Sequence, residues 1–206
     1  MNLILAVPTS EDLIHLLKAW RYWLLGAVAG ALLGVAIYLV APPAYRARAT
    51  VNVDFHMEQA WPQNSDREQF YYLEREARKL EDIAMSDAVL NAVVPEAGGL
   101  TLAQLRGGAL QLSQPGNGGW HFYSDDRDAA RAERMVSAWA NAFMQAVQTQ
   151  VAQPSSSLEH FITTAPVETQ SPRAHRAVSM AVYMLSGASV LLALTALGIL
   201  FLHRQG

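Results

Sequence analysis

Two stretches of this chain are apolar without interruption, and between them the hydrophobic period changes several times. Trp23 to Ala41 contains no charged residue, and neither does Ala177 to Leu202. A helix needs roughly 20 such residues, at a rise of ~1.5 Å each, to cross a bilayer. Both runs are therefore predicted to be transmembrane helices. From Tyr45 the chain alternates. Tyr45, Ala47, Ala49, Val51 and Val53 fall on one side, and Arg46, Arg48, Thr50 and Asn52 on the other, so a strand is expected over Tyr45–Phe55. From Asp66 to Ala84 the spacing changes to three and four. Phe70, Leu73, Ala77, Leu80 and Ala84 form the expected apolar stripe of a helix.

Local signals divide the rest of the middle segment. Ser86 is placed to cap a short helix, SDAVLNAVV, expected to stop at Pro95. Thr101 and Gln104 have the spacing of a capping box. ALQLSQPGNGGWHFYS reads as a hairpin, with Leu110 and Leu112 set against Trp120 and Phe122 across the Pro115–Gly119 turn. A long helix is expected to start at Ser124, Asp125 or Asp126. Its stripe is Ala132, Met135, Val136, Trp139, Phe143 and Val147, and Gln153–Ser157 breaks it. FITTAPVETQSPRA is then an extended return to the second apolar run. Ahead of the first run, Thr9 to Trp20 reads as a short capped helix lying along a membrane surface, with Leu13, Leu16 and Leu17 on one face.

The expected fold class is therefore α+β, with two transmembrane helices bracketing one α/β domain. The expected boundaries are an N-terminal segment at 1–22, a span at 23–41, the domain at 42–176, a span at 177–202 and a tail at 203–206. Pro42 and Pro43 stand where a signal peptide would need small residues for cleavage, so the first run is expected to be an uncleaved anchor. Two spans place both ends on the same side. Lys18, Arg21 and Arg204 flank the spans on the terminal side, and Arg46, Arg48, Arg173 and Arg176 on the middle side, so charge counting leaves the orientation open.

Composition narrows the chemistry. Charged residues make up 16% of the chain, against about 25% in soluble domains, and the net charge of −3 gives no nucleic-acid footprint. The absence of cysteine excludes a disulfide scaffold and a thiolate metal site. No GxxxxGK[ST] sequence is present, so the chain is not a P-loop kinase or ATPase. GxSxG and HExxH are also absent, and the six histidines show no ligand spacing. The acidic run Asp125–Asp128 is explained by capping at a helix start. No catalytic constellation, metal site or cofactor is expected.

Two segments are candidates for contact. Gly26, Gly30 and Gly34 recur every four residues and make a groove that admits a close helix. The partner is either the second span, which carries Ser186, Gly187 and Ala188, or a neighbouring subunit. Arg67–Asp82 is densely charged, and Glu74 can pair with Arg78 at i,i+4. Such a helix is either a solvated face or a subunit contact, through Arg67, Glu74, Arg75 and Arg78.

Taken in order, PPAYRARATVNV after the first span, SDAVLNAVV, the strand and long helix HFYSDDRDAARAERMVSAWANAFMQAV, and APVETQSPRA before the second span resemble the Wzz family of polysaccharide chain-length determinants, or co-polymerases. The resemblance covers nearly the whole chain and is closest to the short, small-domain members. The long helical extension of larger members has no counterpart after Val151. The resemblance implies a homo-oligomeric ring in the bacterial inner membrane, with the middle domain periplasmic and both termini cytoplasmic. It implies partnership with a polysaccharide polymerase or synthase to set the length of an O-antigen, capsule or exopolysaccharide, and no catalytic residues. The alternative it leaves open is a membrane adaptor for a separate cytoplasmic tyrosine kinase. The tail HRQG contains no tyrosine, so coupling of that kind is expected to involve the N-terminal segment.

Overall fold

The computed structural model describes residues 10–56, 66–114, 119–154, 158, 162–166 and 172–205. The chain divides into two compact units, Met1–Pro43 with Val178–Gly206, and Ala44–Ala177.

The first unit is helical. Helix α1 spans Ser10–Lys18, and α2 spans Trp20–Val40. The last helix of the chain spans Met180–Gln205. Trp20–Val40 and Met180–His203 are long and apolar enough to cross a membrane. The first helix begins before the expected span, since Trp20, Arg21 and Tyr22 continue its hydrogen-bonding, and it closes with the Ala41 N–H on the Ile37 carbonyl. The second begins at Met180 rather than Ala177. In α1, Leu13 and Leu17 are exposed. Of the two residues expected to cap it, Thr9 or Ser10, Ser10 is the first residue of the helix and Thr9 lies outside the described residues.

The second unit is an antiparallel sheet with helices. Strand β1 is Tyr45–Asp54, β2 is Leu110–Ser113, β3 is Gly119–Asp126, β4 is Thr163–Pro166 and β5 is His175–Arg176. The order is β2-β3-β1-β4, and β5 also pairs with β1. Tyr45 faces Arg176 and Arg46 faces His175, so the first and last strands of the unit pair with one another. Helix α3 is Asp66–Ala84, α4 is Asp87–Asn91 and α5 is Ala129–Val151. The last helix of the chain is therefore α6.

The core lies between one sheet face and α5. Ala47, Val51, Val53, Trp120 and Phe122 meet Ala132, Met135, Val136, Trp139, Phe143 and Val147, all buried. The Phe122 ring stands edge-on to Trp139 at 4.8 Å, and Trp139 Nε1 donates to the Ala84 carbonyl at 2.8 Å. That bond supplies the partner a buried indole N–H needs and ties α5 to the end of α3. Ser86 caps α4 by accepting from the Val89 N–H. Thr101 and Gln104 form a complete capping box.

Several expectations are corrected. The α3 stripe holds at Leu80 and Ala84, with Ala77 packed on the core, but not at its start: Phe70 is 64% exposed, and Tyr72, Glu76 and Ile83 are buried as well. Glu76 can occupy a core-facing position because Arg75 and Lys79 both donate to its Oε1, at 2.9 and 2.7 Å. Pro95 does not end helical structure. It occupies the first turn of a 3₁₀ segment, Val94–Ala97, where its missing N–H costs nothing. Gly98 then stops the chain at φ 59°, where a β-carbon would also lie 2.6 Å from the Arg131 guanidinium. In the hairpin, Leu112 faces Phe122 but Leu110 faces Ser124, and Trp120 pairs with Val51 on the other side. The long helix starts later than expected. Strand β3 runs through Asp126, and the cap is Asp128, which accepts from the Ala130 and Arg131 N–H groups. The turn at 115–118, the break at 155–157 and the return segment at 167–171 lie outside the described residues.

Candidate functional site

Three features bear on function, and each follows from a pattern of small, charged or alternating residues. The first lies in the helical unit. Gly26, Gly30 and Gly34 share one face of α2, and α6 packs along it. A β-carbon on Gly30 would lie 2.1 Å from the Gly187 carbonyl oxygen, and one on Gly187 would lie 2.2 Å from the Gly30 oxygen. Gly26 meets Thr195 and Gly34 meets the Tyr183 carbonyl equally closely. Within one chain the glycines of the groove therefore face the second apolar helix, backbone on backbone. Thr195 Oγ1 donates to its own helix, to the Leu191 carbonyl at 2.7 Å, which satisfies the hydroxyl. Tyr38 meets Tyr183 edge-on at 5.5 Å.

The second is the charged helix α3. Arg78 donates to Glu74 at 2.5 Å across one turn, and the Arg78 side chain is 75% exposed. Arg75 turns toward the buried Glu76, and its guanidinium lies 5.5 Å from the Tyr72 ring centre. Glu74 and Arg78 thus satisfy one another at the surface, while Arg75 serves the helix itself. The side chain of Arg67 lies outside the described residues. Phe70 and Tyr71, at 64% and 57% exposure, are the large apolar groups this helix presents to solvent.

The third was not singled out from the sequence as a site, although the alternation in β1 contains its signal. Opposite the core face, the sheet presents a polar grid. Arg46 lies across from Asp125, Arg48 from Tyr123, and Thr50 from His121. On the next strand, Gln111 faces Tyr123 and Ser113 faces His121. Arg46 grips Asp125 with both arms of its fork, Nε to Oδ1 at 2.7 Å and Nη2 to Oδ2 at 2.5 Å, and also reaches Gln111 Oε1 at 3.3 Å. The bond to Asp125 raises the Arg46 pKa further. Its guanidinium lies 5.6 Å from the Tyr123 ring centre. Thr50 Oγ1 and His121 Nδ1 are 3.0 Å apart. Burial, and then the charge of Arg48, push the His121 imidazole below its ordinary value. Arg48, Asn52, Gln111 and Ser113 are exposed. Among the described residues Arg48 makes no ion pair.

The acidic run is divided between three tasks. Asp125 holds Arg46, and Asp128 caps α5. Asp126 accepts from Arg131 at 2.6 Å and from the Asp128 N–H at 2.7 Å. Burial pushes the Asp126 carboxyl up, but these hydrogen bonds and the Arg131 charge outweigh it and leave it below the usual carboxylate range. Among the described residues no group of three His, Asp or Glu side chains converges to hold a metal ion. No protein-family model matches the chain, and no curated protein matches it.

Proposed function

We propose that this chain is a non-enzymatic polysaccharide co-polymerase of the Wzz type. In this reading it is anchored in the inner membrane by Trp20–Val40 and Met180–His203, and its α/β unit is periplasmic. It assembles as a homo-oligomer and acts with a membrane polymerase or synthase to set the length of a surface polysaccharide.

The observation that carries the reading is the closure of the α/β unit. Its first and last strands pair, Tyr45 with Arg176 and Arg46 with His175, and the chain leaves each of them within a few residues of a membrane-length apolar helix. A unit closed by its own end strands and anchored at both ends suits a scaffold that holds identical copies in one orientation. The reading assigns no residue a catalytic role.

The deciding experiment is the polysaccharide length profile on a gel, with and without the gene in its own host. Loss of a preferred length while polymer is still made supports the proposal. Complete loss of polymer shifts the role to assembly alongside a cytoplasmic kinase, in which case deletion of the residues before Trp20 should reproduce the defect. An unchanged profile refutes both.

A further inference from the structure

The open face of the sheet carries an inference that rests on the co-polymerase reading and extends it. This face is polar and its side chains are tied to one another. Arg46 is fixed by Asp125 and Gln111, and its guanidinium lies over the ring of Tyr123, the residue across from Arg48. Arg48 is different. It is exposed, it has no ion-pair partner among the described residues, and it lies directly across from Tyr123. A guanidinium fork in this state is suited to receive a carboxylate through two parallel hydrogen bonds. Its neighbours Thr50, Asn52 and Gln111 offer hydroxyl and amide groups at strand spacing, and the Tyr123 ring offers an apolar plane.

We propose that this face binds a segment of acidic glycan, with a uronic-acid carboxylate on Arg48 and the sugar hydroxyls on Gln111, Thr50 and Asn52. Charge complementarity selects the acidic class, since the cation left over after Arg46 pairs with Asp125 is Arg48. The composition of the face argues against a second protein surface. Protein interfaces bury an apolar, charge-depleted centre, and here Tyr123 and the neighbouring His121 ring lie in a field of charged, hydroxyl and amide groups. Many weak hydrogen bonds and one charge suit a polymer that must slide or be released as it grows.

The test uses the full-length protein in lipid nanodiscs, titrated by calorimetry with galacturonic-acid oligomers and, in parallel, with neutral dextran oligomers. The expected result is salt-sensitive binding of the acidic oligomer, weakened about tenfold by Arg48→Ala, with dextran weaker than the acidic oligomer. Arg48→Lys should recover part of the affinity, because it restores the charge without the fork. Because Arg48 is exposed and outside the core, its replacement leaves the fold intact. Equal binding of the two oligomers, no binding of the acidic one, or an affinity unmoved by Arg48→Ala would each overturn the proposal. Loss of the oligomeric state in Arg48→Ala with glycan binding unchanged would give the face to a second copy instead. The length profile keeps the two claims apart. If deleting the gene abolishes the preferred length while Arg48→Ala changes neither profile nor binding, the co-polymerase reading stands and this inference fails.

Discussion

The seam between the two apolar helices gives the most direct test of the structure. A methyl group on Gly30 would lie 2.1 Å from the Gly187 oxygen, whereas ordinary contact begins at 3.4 Å, so the helices must part by about 1.3 Å to admit it. A leucine at Gly30 demands more, and overpacking of this kind costs about 1–3 kcal/mol. Because the chain has no cysteine, an engineered pair reports on the seam without background. A β-carbon on Gly26 would lie 3.0 Å from the Thr195 Cβ, short of the ~3.5–4.5 Å that a disulfide spans, so the bond forms once the helices give there by about half an ångström. Gly26→Cys with Thr195→Cys should oxidise readily within one chain, read as loss of maleimide-polymer labelling in membranes. Adding Gly30→Leu should lower the yield of that bond. Gly198→Leu should not, because no atom lies within 4 Å of a β-carbon there. A bond that forms as fast with Gly30→Leu as without it, or that links two chains rather than closing one, would refute the packing.

Three further outcomes are expected of the α/β unit. Trp139→Phe removes the donor to the buried Ala84 carbonyl and should cost about 1–3 kcal/mol, read as a lower urea midpoint of the full-length protein. Asp128→Ala removes the cap of α5 and should cost about 1 kcal/mol in the same assay, whereas Asp128→Asn should cost much less. The pH dependence has two parts with the same sign. The folded Asp126 carboxyl lies below its ordinary 3.8, so its contribution is complete above that pH and lost as pH falls through the folded value, and Asp126→Asn should remove that loss. The folded His121 imidazole lies below 6.5, so its contribution is complete above 6.5 and fades as pH falls through the lower folded value. Removing the charge with Arg48→Ala should bring the imidazole back toward 6.5 in an NMR titration.

The periodic elements were legible because one side of each is dictated by burial. Helix α5 shows Ala132, Met135, Val136, Trp139, Phe143 and Val147 in the sequence, and these are the residues buried against the sheet. Strand β1 alternates in the sequence and alternates in the fold, so even its open face was present as Arg46, Arg48, Thr50 and Asn52. What alternation does not determine is which strand lies beside which. Leu110 and Trp120 were both on the core face as expected, yet they are not opposite one another, because the register also answers to Val51 in a strand far away in the chain. The burial of Glu76 in α3 was hidden for a related reason. A glutamate at position 76 reads as a surface residue until Arg75 and Lys79 are seen to neutralise it.

The acidic run at the end of β3 shows where local reasoning stops. Cap chemistry explains one carboxylate at a helix start, and it was enough to account for Asp125, Asp126 and Asp128 together. In the structure, only Asp128 is satisfied by its own helix alone. Asp125 is held by Arg46, 79 positions earlier in the chain, and that pairing requires β3 to remain a strand as far as Tyr45 opposite Asp126. Asp126 then takes Arg131 from the first turn of α5, which joins strand end to helix start. Arg46 therefore does two things at once. It ties β1 to the end of β3, and by neutralising Asp125 it leaves Arg48 as the exposed arginine of this face without an ion pair among the described residues.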